Sequence, residues 1–121
     1  MVLKRVLDTN AILYLLGGKL AQPLPTGQYF ISVISEMELL SYPLLDDSAQ
    51  SKIEIFLSEI MIVGLNESVK KLAILLRREH QLKLPDAIVA ATALSLGATL
   101  VTNDAKLLRL PRLSTQELGL K

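Results

Sequence analysis

VLKRVLDTNAILYLLGG, residues 2–18, changes character in the middle, and that change decides the fold. VLKRVL (2–7) reads as a strand, and from Thr9 the apolar residues take helical spacing until Gly17 and Gly18 stop the run. One acid, Asp8, stands at the joint. The same alternation continues outward. The stretch 19–28, with Pro23, Pro25 and Gly27, is a loop. YFISVI (29–34) is rich in β-forming residues, and SEMELLSY then reads as a short helix that ends before Pro43. SAQSKIEIFLSEI (48–60) spaces Ile53, Phe56, Leu57 and Ile60 as a helix does, and MIVGL (61–65) is a further strand. ESVKKLAILLRREH (67–80) carries Glu67 at its start and Arg77, Arg78 and His80 at its end, the charge order that a helix dipole favours. PDAIVAATALSLG (85–97) begins on proline and stops on glycine, as helices do. ATLVTN (98–103) is a strand and DAKLLRL a short helix, and beyond Leu110 there is room for a short last strand or a loop. Strands alternating with helices, with no repeat or linker, predict a single α/β domain over residues 1–121 with a largely parallel sheet.

Composition narrows the function. Half of the residues are hydrophobic and the mean hydropathy is +0.41, high for so small a chain, which implies that some apolar surface is covered by another protein chain. No apolar run approaches the roughly 18 residues of a membrane span, and the N-terminus has no signal-like apolar region, so a cytoplasmic protein is expected. The absence of Cys excludes a disulfide framework, a thiolate metal site and a cysteine nucleophile. Any metal must be held by oxygen or by the single His. The net charge is +1 but is unevenly spread: residues 31–60 carry six acids against Lys52, and residues 61–121 carry nine bases against five acids. That is either an ordinary solvated surface or a basic half able to hold a phosphate backbone beside an acidic centre.

In parallel sheets, ligands sit beyond the carboxyl ends of the strands. Asp8 follows the first strand, Glu38 lies four residues past YFISVI, Asp104 ends LVTND, and Asp86 opens the helix PDAIVAATA. All four are expected in helix N-terminal turns, where acids also serve as caps: Asp8 and Asp104 as N-caps, Ser35 with Glu38 as a capping box, Asp86 as a partner of the dipole. Against capping alone stands the apolar character of the helices that follow, which packs each first turn at the sheet edge. Two carboxylates about 4 Å apart repel by ~4 kcal/mol at an effective dielectric near 20, so convergence calls for a cation. Oxygen donors without Cys or a suitable His point to Mg²⁺ or Mn²⁺ rather than Zn²⁺.

VLDTNAIL, ISVISEMELL, LPDAIVAATA and TLVTNDAKLL resemble, in order, the four acidic motifs of PIN domains, particularly the ribonuclease toxins of VapBC-type toxin–antitoxin modules. The resemblance runs from Val2 to about Leu113. It implies a twisted, mostly parallel sheet between helices in three α/β/α layers, and Mg²⁺- or Mn²⁺-dependent endonucleolytic cleavage of RNA. It also implies a cognate antitoxin as partner, with a homodimer expected. Asp8, Glu38, Asp86 and Asp104 then correspond to the acidic quartet that binds metal and carries catalysis, with Asp8 and Asp86 the direct ligands. Asn10, Ser35, Thr102 and Asn103 fall where the family places polar residues that orient acids or water, although each also suits a turn or cap. Glu36 is the rival of Glu38. Residues two apart on a helix point about 200° from each other, so only one can face a site, and the motif favours Glu38.

Lys83, Lys106 and Arg109 of the basic half are the expected contacts to an RNA backbone. His80 reads as a helix-end residue, and Lys70, Lys71, Arg77 and Arg78 as the wet face of a helix whose dry face is Leu72, Leu75 and Leu76. Two other classes of function compete. A receiver-like phosphoacceptor domain shares the length and fold class but needs an acid pair after the first strand and an Asp after a central strand, whereas Asp8 stands alone and MIVGL runs into Asn66 and Glu67. A PIN-like scaffold that binds protein without catalysis would have no need of all four acids.

Overall fold

The computed structural model describes residues 3–43 and 45–121. Among them, five strands form one sheet: β1 (Lys4–Leu7), β2 (Gln28–Ser32), β3 (Met61–Val63), β4 (Thr99–Val101) and β5 (Thr115–Gln116). Their order is β3-β2-β1-β4-β5 and every pairing is parallel. The connections carry α1 (Thr9–Leu16), α2 (Val33–Leu40), α3 (Asp47–Glu59), α4 (Glu67–His80), α5 (Leu84–Leu96) and α6 (Ala105–Leu108).

The three central strands show why the sheet lies between two helical layers. Val6, Phe30 and Leu100 point to one face and pack with Val69, Ala73 and Leu76 of α4 and with the alanine-rich α5. Their neighbours Leu7, Ile31 and Val101 point to the other and pack with Ala11 and Ile12 of α1, Leu39 of α2 and Ile53 of α3. Alternate residues on a strand face opposite ways, so a strand apolar at consecutive positions must be buried on both sides. The expected α/β/α layering is what the structure has.

Several boundaries shift. Val2 of the expected first strand lies outside the described residues. β2 ends at Ser32, not at Ile34, because Ser32 Oγ accepts from the Ile34 amide at 3.1 Å and starts α2 two residues early. Val33 and Ile34 favour strands by propensity, but here they are helical, an instance of tertiary context overriding a weak prior. The Ser35–Glu38 capping box therefore does not exist, and Glu38 sits in the second turn of α2 rather than the first. α4 keeps its expected limits, α3 starts one residue early on its cap Asp46, and α5 ends at Gly97 in the left-handed conformation. The C-terminal tail is stitched down: β5 pairs with β4, and Leu20 bridges Leu120 in antiparallel fashion.

The sheet order also disposes of the receiver-like reading. Receiver folds run 2-1-3-4-5, with the third strand central. Here β3 is an edge strand, and Asn66 after it is spent on capping α4 through the Val69 amide at 2.9 Å.

Candidate active site

Strand order reverses between β1 and β4, since β2 and β3 extend the sheet one way from β1 and β4 and β5 the other. At such a switch point the loops leaving the two strands diverge and open a crevice. Asp8 leaves β1 there, held to β4 by its amide on the Val101 carbonyl at 3.1 Å, and Thr102 to Asp104 leave β4 beside it. A cavity of about 110 Å³ lies at this spot, lined by Asp8, Thr9, Asn10, Glu38, Tyr42, Asp86, Val89, Asp104 and Leu107. All four acids named from sequence line it; Glu36 does not.

The four acids divide into two kinds. Asp8 is 7% exposed and caps α1, its Oδ1 accepting from the Ala11 amide at 2.7 Å. Asp104 caps α6, its Oδ1 accepting from the amides of Lys106 at 2.9 Å and Leu107 at 3.2 Å. For these two, capping accounts for part of their presence. Asp86 makes no capping bond: Lys83 holds the N-cap position of α5 without a side-chain hydrogen bond, and proline stands in the first turn. Glu38, exposed on α2, caps nothing either; its Oε1 accepts from Thr9 Oγ1 at 2.7 Å.

Their electrostatics show how near they lie. Burial raises the Asp8 carboxyl above its ordinary value of 3.8; hydrogen bonds from Thr102 and Ala11 pull it down, and the charges of Asp104 and Asp86 add to the rise. Asp86 is likewise raised, first by burial, then by Asp104 and Glu38, with Lys83 and Lys106 opposing. Carboxylates that raise one another form a site of stored repulsion, which Lys83 and Lys106 offset in part at Asp86.

Among the described residues, no three His, Cys, Asp or Glu side chains are set to enclose a metal ion by themselves. Mg²⁺ does not need that. It keeps several waters and takes one or two carboxylates directly, so a cluster of hard oxygen donors, two of them free of capping duty, fits it by donor chemistry.

The polar residues expected around the acids fare differently. Thr102 is fully buried; its hydroxyl donates to Asp8 Oδ2 and accepts from the Asp104 amide at 3.0 Å, linking the two acids. Ser35 is fully buried beneath Thr9, with Thr9 Oγ1 and Ser35 Oγ 3.0 Å apart. Asn10 is exposed and lines the cavity. Asn103 turns away: its Nδ2 donates to the Leu118 carbonyl at 3.0 Å and its Oδ1 accepts from the Leu118 amide at 2.7 Å, which anchors the tail instead of orienting an acid. Lys83 and Lys106 stand close enough to stabilise charged Asp86, whereas Arg109 folds back onto the Ala105 carbonyl of its own helix. Sequence reasoning missed Thr9 and Tyr42. Thr9 was discoverable as the only hydroxyl in DTN, while Tyr42 reaches the cavity from a loop whose path no periodicity foretells.

Residues 5–113 match the family model described as PIN domain. The chain belongs to the PIN domain family. No curated protein sequence matches it. Among solved structures, a chain of a toxin–antitoxin complex from Klebsiella pneumoniae is 28% identical, with a TM-score of 0.73, over 88% of this chain and 92% of that one. A DNA-bound VapBC from Salmonella typhimurium reaches a TM-score of 0.80 at 23% identity, covering 95% of this chain and 98% of that one. VapBC2 from Rickettsia felis, bound to a DNA fragment of its promoter, gives 0.77 at 23%, covering 97% and 100%. This PIN domain therefore shares its whole fold with chains of VapBC complexes.

Proposed function

We propose that this PIN domain is an Mg²⁺- or Mn²⁺-dependent endoribonuclease and the toxin of a toxin–antitoxin pair. The observation that carries the reading is that Asp86 and Glu38, which no capping hydrogen bond explains, share one cavity with Asp8 and Asp104 at the switch point of the sheet. A bound divalent cation would be held by Asp8 and Asp86, with Asp104 and Glu38 close by, and would lower the pKa of a bound water and neutralise charge on a phosphodiester. The protein's own groups do the rest. Thr102 and the Ala11 amide hold both oxygens of Asp8, so that carboxylate cannot rotate away. Glu38 keeps Oε2 uncommitted and able to take a proton from the attacking water, since Thr9 occupies only Oε1. Lys83 and Lys106, exposed beside the acids, bind the phosphate backbone that those acids would otherwise repel.

The partner side of the proposal rests on likeness and exposed apolar surface. The neighbours named above are toxin–antitoxin and VapBC complexes. Leu65, Ile74 and Leu84 are each about half exposed around a groove of about 430 Å³ between α4 and α5, a patch suited to cover by an antitoxin or by a second copy in a homodimer. No described helix is long and apolar enough to cross a membrane. Work on RNA would place the protein in the cytoplasm.

The test is cleavage of labelled RNA by purified protein with Mn²⁺, then with chelator, beside the Asp86→Asn variant. Cleavage that needs the metal and is lost in the variant supports the enzyme. Cleavage that survives chelation overturns it, and no cleavage under any metal leaves a protein-binding scaffold. Expression without the antitoxin should arrest growth, and harmless expression of active protein would remove the toxin half of the reading alone.

A further inference from the structure

We infer that the Thr9 hydroxyl, seated between Ser35 and Glu38, aims the Glu38 carboxylate into the acidic cavity, so that Thr9 is a positioning residue acting through Glu38. The inference rests on the nuclease reading for its chemistry and on the side-chain geometry for its substance. Glu38 is exposed on the second turn of α2, and neither ion pair among the described residues includes it. A free glutamate at such a place samples many rotamers, and a catalytic carboxylate must hold one. Thr9 provides the hold. It is the first residue of α1, a helix fixed by the Asp8 cap and by fully buried Ile12, and its branched side chain has little freedom at χ1.

The proton count decides which acceptor Thr9 serves. Its Oγ1 lies 2.7 Å from Glu38 Oε1 and 3.0 Å from Ser35 Oγ and donates toward both, but a threonine hydroxyl has one proton. The carboxylate is the stronger acceptor and takes the larger share of it. Ser35 stands one turn before Glu38 on the same helix and is fully buried, so the Thr9 hydroxyl is seated between a fixed oxygen and the carboxylate. Thr9 thus engages one oxygen of Glu38 and leaves Oε2 alone for chemistry.

A bridge that merely tied α1 to α2 would show the same distances, so the test must separate stability from aim. Thr9→Val removes the hydroxyl, Thr9→Ser keeps it, and both are combined with Glu38→Gln. On labelled RNA with Mn²⁺, Thr9→Val should lower kcat about ten- to a hundredfold, the range for losing a hydrogen bond to a charged group, with little change in KM. Thr9→Ser should recover most of the loss, and Thr9→Val should add nothing once Glu38 is Gln. A second readout needs no RNA: the rise in melting temperature on adding Mn²⁺ should shrink in Thr9→Val and be equal in Glu38→Gln and the double variant. Additive losses, or no recovery with serine, would overturn the positioning role of Thr9. If the wild type cleaves no RNA, the nuclease proposal falls and the Mn²⁺ thermal shifts decide by themselves, equal shifts in wild type and Thr9→Val overturning that role.

Discussion

At the scale of single residues, Asp86 is the informative acid because it makes no capping hydrogen bond and its structural role is limited to the dipole of α5. Replacing Asp8 by Asn keeps an oxygen for the Ala11 amide but sets an amide NH₂ against the Thr102 hydroxyl, so lost activity there would have two explanations. Asp86→Asn breaks no cap. We expect it to lower RNA cleavage by orders of magnitude while the metal-free melting temperature holds or rises, and Glu36→Gln, outside the cavity, to alter neither. The pH dependence follows from the same carboxyl. Asp86 is raised above 3.8 in the fold, so between that value and its folded pKa the native state binds more protons than the unfolded state. Stability from this group is therefore fully present below 3.8 and is lost as pH rises through the folded pKa. Thermal melts in chelator should show Asp86→Asn matching the wild type near pH 3.5 and exceeding it at neutral pH. A difference that shrinks toward neutral pH would contradict the raised pKa.

Elements explain the positions of the acids better than motifs do. Asp8 directly follows β1 and Asp104 stands three residues past β4, and each caps the helix that follows, so the turn out of each strand also presents a carboxylate to the crevice. Glu38 reaches the same crevice because Ser32 starts α2 early, which turns the second-turn residue toward α1. One element carries a flaw that can be repaired away from the site. Gln81 ends α4 at φ 54°, in the left-handed region where a side chain is strained and glycine is favoured. Gln81→Gly should stabilise the protein by about 0.5–1 kcal/mol, read as a rise of roughly 2–4 °C in melting temperature, with cleavage unchanged. A lower melting temperature would mean that the glutamine side chain contributes more than its backbone costs.

Across the whole molecule, the acidic cavity and the basic half are parts of one electrostatic design. Lys83 precedes α5 and Lys106 lies in α6, and the fold brings both beside Asp86. RNA affinity should therefore fall with salt, and Lys83→Ala or Lys106→Ala should each flatten the slope of log Kd against log salt by about one charge or less. Arg109→Ala, whose guanidinium is turned onto its own helix, should change the slope least. Binding by the wild type that is unchanged from low to moderate salt would remove the backbone-contact role from all three.

The alternation of apolar runs and turn residues determined the layered α/β fold, because a strand apolar at consecutive positions has no stable place except between two helical layers. The four acids were also legible, since each stands in a motif beside a strand end or a helix start. Where α2 begins, which acids are spent on caps, that Asn103 holds the tail and that Thr9 holds Glu38 were decided only by tertiary structure. The first two turn on which of several possible local caps forms, Ser32 with Ile34 or Asp8 with Ala11, and the last two on hydrogen bonds between residues brought together by the fold, Thr9 with Glu38 and Asn103 with Leu118. A one-dimensional pattern records which side chains can donate and accept. It does not record which of them meet, because that is set by the packing of helices distant in sequence against one shared sheet.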